Sequence, residues 1–494
     1  MSVSKNNKES TIARRDEELL ASLGYKQEFR RAFTALETFG IAFSIIGLLP
    51  SIASVLVYSI PNGGPVAMVW GWLVASCFIL FVGMSMAELA SSAPTSGGLY
   101  FWTFALSSPR WRTLLSWICG YSNTIGSIAS IASIDWGCAV QVMAAASIGS
   151  DLDFEATSAQ TLLCLAVIVA LPAATPPEFR NNASYALGNF TNTNGWTNGF
   201  AFTLSFLSPL WTISSFDSSV HISEEASNAA TAVPWAIVGA IAISGILGWA
   251  INMSLAFCMG TDLDGIINSP SGQPMSTIFF NSFGKTGTLV VWVLAASRQT
   301  FAFSRDGALP FSGWLYRMNK YTKTPVNTVW FTCIWSIILG LLTFAGDSAT
   351  NAIFSLGVTS LYVAYALPIC ARFFGTNNFK PGPFNLGPFS IPVAFIAVLW
   401  MIFTSIILMF PSTPQTDVVD MNYAVVVQWG TLILSLVYFY FPKYGGVYWF
   451  KGPVPTLDVA NETLGHHDDS AFDGDFKLAE KCGVEVLDSQ PTKP

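Results

Sequence analysis

Six residues inside an apolar run carry the chemistry of this sequence. The run Phe200–Ala226 breaks at Ser214, Ser215, Phe216, Asp217, Ser218 and Ser219, resumes as Val220, His221 and Ile222, and closes on Glu224 and Glu225. A carboxylate among small hydroxyl residues at mid-membrane depth is costly unless it lines a cavity. Backbone that leaves the helix at that depth is tolerated only where protein or water satisfies its freed polar groups. A second interruption lies in Phe43–Ser51. There Gly47 weakens the helical ladder by entropy and Pro50 by its missing N–H. Two such breaks make a site for both ends of an amino acid. Half-helix N-termini offer N–H groups and a positive dipole end to a carboxylate, and unwound carbonyls accept from an ammonium.

Other residues of reactive type give weaker signals. The serines alone fit a kink whose hydroxyls bond back to carbonyls, and the enclosed Asp217 tips the balance towards a site. His221 reads as lying near the cytoplasmic end of its segment, with Glu224 and Glu225 solvated at the membrane edge. Ser96–Gly98 lacks the lysine and the strand–turn–helix setting of a phosphate loop. His466, His467, Asp468 and Asp469 sit in a polar tail that holds no rigid ligand geometry. Eight cysteines show no CxxC spacing, and seven lie in apolar context as small buried hydrophobes. With no nucleophile–base pair and no metal spacing, the expectation is a protein that is not an enzyme, holds no cofactor or metal, and binds no nucleic acid.

The elements that must position these residues are membrane helices. The chain is 52% hydrophobic and 11% charged over 494 residues, whereas soluble domains carry about 25% charged residues. Apolar segments are expected at about Ala35–Ile60, Val66–Leu89, Leu114–Ile148, Phe200–Ala226 and Val233–Met259. Four more follow at about Pro325–Ala345, Ala349–Ala371, Ile391–Phe410 and Tyr423–Phe441. Arg110 and Arg112 before the third segment, and five cations from Arg298 to Lys323, place those loops and both termini in the cytoplasm. Asp151, Asp153 and Glu155 then fall outside, with the sequons Asn182-Ala183-Ser184 and Asn189-Phe190-Thr191. The chain divides into a cytoplasmic tail (1–34), a transmembrane domain (35–441) and a disordered cytoplasmic tail (442–494). No cleavable signal peptide is visible in the polar first 34 residues.

At these residues a resemblance becomes specific. Phe43–Ser54 (FSIIGLLPSIAS), Met86–Trp102 (MAELASSAPTSGGLYFW), Ser214–Ala229 (SSFDSSVHISEEASNA) and Ser297–Asn327 resemble the amino acid–polyamine–organocation permease superfamily. The branch they resemble most is the fungal amino acid/choline transporter family, with its GABA and choline permeases. The resemblance implies an all-α, polytopic, leucine-transporter-type fold of five plus five inverted helices followed by two more. It implies a secondary transporter of amino acids or amines such as GABA or choline, usually proton-coupled, in the plasma or vacuolar membrane. Its partners would be that small substrate, H+ and the lipid bilayer. The family's substrate site would fall on Ser44, Ile45, Ile46 and Gly47 of helix 1, and on Ser215, Phe216 and Asp217 of helix 6, with Trp211 nearby. Phe216 would gate the substrate, and Asp217 would meet its ammonium or shape the turn. Glu88, Gly97, Gly98, Arg305 and Asp306 would serve the inner gate.

The chain also departs from that pattern. Between helix 3 and helix 6 the family has two helices. Here only about a dozen apolar residues, Thr161–Leu171, are present, ~18 Å of helix against a ~30 Å core. The run Thr288–Ser297 is likewise short. Helix 4, part of helix 5 and much of helix 8 are thus expected to be missing. The alternative reading is a transport-inactive shortened paralogue, or a splice or gene-model product, acting as a sensor or without function.

Overall fold

A capping box opens the membrane body. Thr34 Oγ1 accepts from the Glu37 N–H at 3.4 Å, and the Glu37 carboxylate accepts from the Thr34 N–H at 2.7 Å. The pair satisfies two N–H groups that a helix start leaves open. In the computed structural model the described residues are 2–27, 31, 33–148, 160–268, 273–285, 288, 334–335, 338–341, 346–375, 379–414 and 421–453. Arg305, Asp306, the tail histidines, Asp151–Glu155 and most of the expected segments at 288–297 and 325–345 lie outside them. The chain forms two compact units, residues 1–28 with 454–494, and residues 29–453. In the first unit, α1 (Ser2–Ser22) carries an exposed Arg14–Glu18 pair one helical turn apart.

The second unit is a helical bundle. α2 (Ala35–Ile46) and α3 (Leu48–Ser59) form the first span. α4 (Gly64–Ser92) forms the second and includes a π-helical stretch at Ala67–Gly71. After α5 (Gly98–Leu106), α6 (Arg112–Ile148) runs for 37 residues, ~55 Å, enough to cross a bilayer obliquely. Next come α7 (Gln160–Ala174), α8 (Asn198–Leu204), α9 (Leu207–Thr212) and the short α10 (Ser218–His221). α11 (Ala229–Cys258), α12 (Asp347–Phe374), α13 (Ser390–Ile407) and α14 (Ala424–Phe439) follow, and α15 (Gly446–Trp449) closes the described chain. Among the described residues five helices are long and apolar enough to cross a membrane.

Small residues let these helices approach closely, as membrane packing requires. α4 lies on α11, where Trp72 sits close against Gly248 and its indole N–H donates to the Gly245 carbonyl at 3.1 Å. A Cβ on Gly248 would fall 2.2 Å from that ring. α6 lies on α12, with Gly126 against Leu361 and Gly357 against Ser130. Outward-facing Phe395, Leu399, Ile402, Trp429, Ile433 and Leu434 give α13 and α14 an exposed apolar face, suited to lipid. Cys119 and Cys258 are buried as expected, whereas Cys77 is exposed.

The two ends of the bundle differ in charge. At one end β1 (Asn62–Gly63) pairs antiparallel with β2 (Thr191–Asn192), close to the end of α11. That end carries Glu178, Asp262 and Asp264 with Arg180. The opposite end gathers Arg31, Arg110, Arg112 and Arg372. α7 rides on the β-ribbon half of α11. Ser254 donates to the Ile168 carbonyl at 3.2 Å, and Asn181 just beyond α7 donates to the Ala256 and Gly260 carbonyls. Its 15 residues give ~22 Å, less than a bilayer core.

Candidate functional site

Both expected interruptions are present, and they face each other. α2 stops at Ile46 and α3 starts at Leu48. Between them Gly47 takes the left-handed conformation, φ 51° and ψ 51°, which costs an L side chain roughly 1–2 kcal/mol and glycine almost nothing. This moves the helix 1 break from the expected Ser44–Gly47 to Gly47 itself. Ser44, Ile45 and Ile46 are helical, so their N–H groups are spent within α2. The donors that face the break are the first-turn N–H groups of α3, on Leu48 and Leu49, ahead of Pro50. Two carbonyls at the break are already held. Ser51 Oγ donates to the Ile46 carbonyl at 2.8 Å, and Gln141 of α6 donates to the Pro50 carbonyl at 2.8 Å and to Ser54 Oγ at 2.9 Å.

The second break spans Ile213–Asp217. Ser215 holds φ 56°, unusual for a residue with a side chain. α2 packs on α10 and α3 on α9, so the two breaks sit side by side. At the lips of the second break Thr212 Oγ1 and Ser218 Oγ are buried without a hydrogen-bond partner among the described residues. Buried hydroxyls are normally paired, so this is where a polar ligand would be held.

The neighbours of the expected site residues were not legible in the sequence. Trp211 is buried, donates to Ser133 Oγ of α6 at 2.9 Å, and packs at a tilt against Phe354 of α12 with centroids 4.7 Å apart. Phe216 is fully buried and lies 5.3 Å from the Tyr365 ring. Asp217 is 5% exposed, and its Oδ1 accepts from Tyr365 at 2.7 Å. The carboxylate is thus tied to α12 as well as facing the break. A cavity of about 30 Å³ opens elsewhere, near Tyr58, Asn62, Asn351 and Asn422 at the β-ribbon end. It has room for water and not for an amino acid.

The end opposite the β-ribbon is locked by two buried carboxylates. Glu88 is 1% exposed. It pairs bidentately with Arg372 at the end of α12, and accepts from Ser390 Oγ at 2.8 Å and from the Leu386 N–H at 3.3 Å. The Arg372 guanidinium lies 3.7 Å from the centre of the Phe379 ring. Glu224 is buried, which corrects its expected solvation. Its Oε1 accepts from the N–H and the hydroxyl of Ser96 at 3.0 and 2.6 Å. Gly98, with φ 48°, lets the chain approach Val220, whose Cγ1 would lie 2.9 Å from a Cβ there, while Gly97 contacts Tyr100. Burial, and then the Glu224 carboxylate, raises the pKa of the Tyr100 hydroxyl. A further tie joins the start of the first span to the end of helix 6. Arg31 donates to the Ala226 carbonyl at 2.7 Å, Phe33 N–H to Glu225 and Ser227 N–H to Phe33.

The chain is similar to known proteins over most of its length. The model of the amino acid permease family matches residues 33–175 and 157–432. An uncharacterized amino-acid permease of Schizosaccharomyces pombe is 37% identical, with 92% of this chain and 91% of that protein covered. The GABA-specific permease of Saccharomyces cerevisiae is 37% identical over 97% of this chain and 90% of its own length. Amino-acid permease 2 of Neurospora crassa is 32% identical over 88% of each. The chain belongs to the amino acid permease family. It is a multi-pass membrane transporter of amino acids and not an enzyme.

Proposed function

We propose that the chain moves an amino acid or a related amine, with GABA the first candidate, across the plasma or vacuolar membrane together with a proton. The carrying observation is the pair of adjoining breaks, left-handed at Gly47 and Ser215, with the unpartnered hydroxyls of Thr212 and Ser218 beside them. The substrate carboxylate would sit on the N–H groups of Leu48 and Leu49 at the positive end of α3. Its ammonium would meet the carbonyls of the Ile213–Asp217 stretch, with Asp217 supplying the nearest charge. Alternating access would come from movement of α2 with α10 against α6 and α12. The cation-rich end, with Arg31, Arg110, Arg112 and Arg372, is read as cytoplasmic, which puts both termini there.

Purified full-length protein in liposomes tests this with [3H]GABA, competed by unlabelled amino acids and by choline. Competed, saturable uptake that falls at least tenfold in Asp217→Asn is the expected result. Uptake indifferent to that substitution would remove Asp217 from the site. Competition by choline alone would point to an aromatic cage around Trp211 and Phe216 instead.

The 15 residues of α7 support a second reading, a shortened and transport-inactive form. The two family matches also overlap at residues 157–175, as they would where one stretch stands in for two. Transcript sequences across Gln160/Thr161 and Val293/Leu294 decide it. An additional helix at either junction in the transcript would sink the shortened form.

A further inference from the structure

A line of polar contacts leads from the second break to the Arg31 end. Tyr365 donates to Asp217 Oδ1 at 2.7 Å, and Asp217 Oδ2 faces His221 Nε2 at 3.6 Å. His221 Nδ1 lies 3.1 Å from the Ser96 carbonyl oxygen, while the N–H and hydroxyl of Ser96 both donate to Glu224 Oε1. Each contact constrains the next. Glu224 occupies both donors of Ser96 and leaves its carbonyl to His221. A carbonyl only accepts, so Nδ1 carries the hydrogen. In a neutral imidazole Nε2 is then a bare acceptor, and it faces a carboxylate oxygen, also an acceptor. That juxtaposition is favourable only when one proton lies on Nε2 or on Oδ2.

We propose that Asp217 and His221 together form the proton-binding site of this transporter. The proposal rests on the proton coupling stated above. Asp217 is sealed, with 7% of its side chain exposed, whereas His221 is 42% exposed. The dyad therefore links the buried break to a partly exposed imidazole near the Arg31 end, which is read as cytoplasmic. Imidazole exchanges protons near neutral pH, which an isolated carboxylate does not. The proton moves from Oδ2 to Nε2 and then from Nε2 to water. Carboxylate and neutral imidazole are left opposed, which favours their separation. The hold on the proton also depends on conformation. Asp217 and His221 bracket α10, but their partners lie elsewhere, Tyr365 on α12 and Ser96 in the loop between α4 and α5. Any movement of α10 against either element changes proton affinity. Among the described residues the titratable groups around the pair are Tyr365 and Tyr362 on α12, Cys119 on α6, Tyr100 on α5, and Glu224. Arg31 faces the carbonyls of Ser223 and Ala226 nearby.

The chain has three histidines, two of them in the tail. Full-length protein carrying His466→Gln and His467→Gln, labelled with 15N-histidine in detergent micelles, therefore reports one imidazole. The expected neutral form is the Nδ1–H tautomer, a readout that needs no change in the dyad. Asp217→Asn is expected to lower the proton affinity of His221 at least about tenfold, the effect of removing an opposite charge at this range. An Nε2–H tautomer, or an affinity indifferent to Asp217→Asn, overturns the dyad. In liposomes, His221→Gln is expected to bring the ratio of [3H]GABA accumulated with and without an inward proton gradient to about one. A ratio kept at the unsubstituted value also overturns the proposal. If the unsubstituted protein carries no GABA, GABA is removed as its substrate, and the imidazole titration still decides the dyad.

Discussion

Removing Arg372 should damage the protein more than removing both partners of its ion pair. Glu88 lies on α4 and Arg372 at the end of α12, and Ser390 and Leu386 bring the start of α13 to the same carboxylate. Arg372→Ala leaves a charge that is 1% exposed with two neutral donors and no cation. Breaking a buried pair from one side costs about 3–5 kcal/mol, because the remaining charge stays desolvated. The Ser390 hydroxyl and Leu386 N–H stay bonded to the carboxylate in the variant, so the stranded charge keeps two donors. The expected loss is therefore about 3 kcal/mol, near the lower bound. Loss of the stacking on Phe379 adds roughly 0.5–1 kcal/mol. In Glu88→Gln with Arg372→Gln the stranded charge is gone, so the double variant should lie above Arg372→Ala. A double-mutant cycle, by reversible denaturant unfolding in mixed micelles, should give a coupling energy of at least about 1.5 kcal/mol. Additive substitutions, or a loss under about 1 kcal/mol in Arg372→Ala, would refute the view that this carboxylate ties α4 to α12 and α13.

Three further outcomes follow from the same geometry. Gly47→Ala has room for its Cβ, with the nearest atom 3.7 Å away, so it should cost only the left-handed penalty of about 1–2 kcal/mol while reducing GABA uptake several-fold; full uptake would show that the break tolerates a helical residue. Gly248→Ala drives a methyl into Trp72, and overpacking of this kind costs about 1–3 kcal/mol, read as lower thermal stability of the purified protein; an unchanged melting point would contradict the close α4–α11 packing. If the β-ribbon end faces outward, enzymatic deglycosylation should shift the mobility of the protein on a gel, and Asn182→Gln with Asn189→Gln should abolish the shift; a shift that survives both substitutions would place the glycan elsewhere.

How much of this could be read in the sequence depended on whether a residue broke a pattern. Asp217 among serines and Gly47 before Pro50 interrupt apolar runs, so both helix breaks were visible, though the first was drawn three residues too wide. Gly47 and Pro50 mark the neighbourhood of the break by residue type, but whether Ser44, Ile45 and Ile46 remain helical is shown only by the left-handed φ at Gly47. Tyr365 and Arg372 were missed for the opposite reason. Tyr365 sits in an unbroken apolar run, and Arg372 at a span end looks like any cation reaching for the membrane surface. Glu224 was misjudged as solvated because its partner Ser96 lies 128 residues away. Glu88 is named in the sequence only through the family resemblance, and its partners Arg372, Leu386 and Ser390, all more than 280 residues away, leave no signal beside it.

The short α7 matters differently to the two halves of the machinery. The substrate breaks are built by α2, α3, α9 and α10 and are braced by α6 and α12, through Gln141, Ser133 and Tyr365, while α11 packs on α2. None of those three contacts passes through α7, which meets α11 near Ser254 and also touches α3. A shortened helix there, as the second reading has it, would leave the contacts of Gln141, Ser133 and Tyr365 in place. The described part of α7 supplies no basic side chain either, since Gln160–Ala174 contains no Lys, Arg or His. Any proton that this chain couples to transport must then be held by other residues. Among the described residues, the pair that links the buried break to a partly exposed imidazole is Asp217 and His221. Restoring a full-length helix should accordingly change stability more than the identity of the proton site. A chimera that carries the corresponding stretch of the GABA-specific permease of Saccharomyces cerevisiae in place of residues 149–175 tests this directly. His221→Gln should still abolish the response of GABA uptake to a proton gradient in that chimera. A chimera that keeps its gradient response without His221 would assign proton coupling to the restored helix instead.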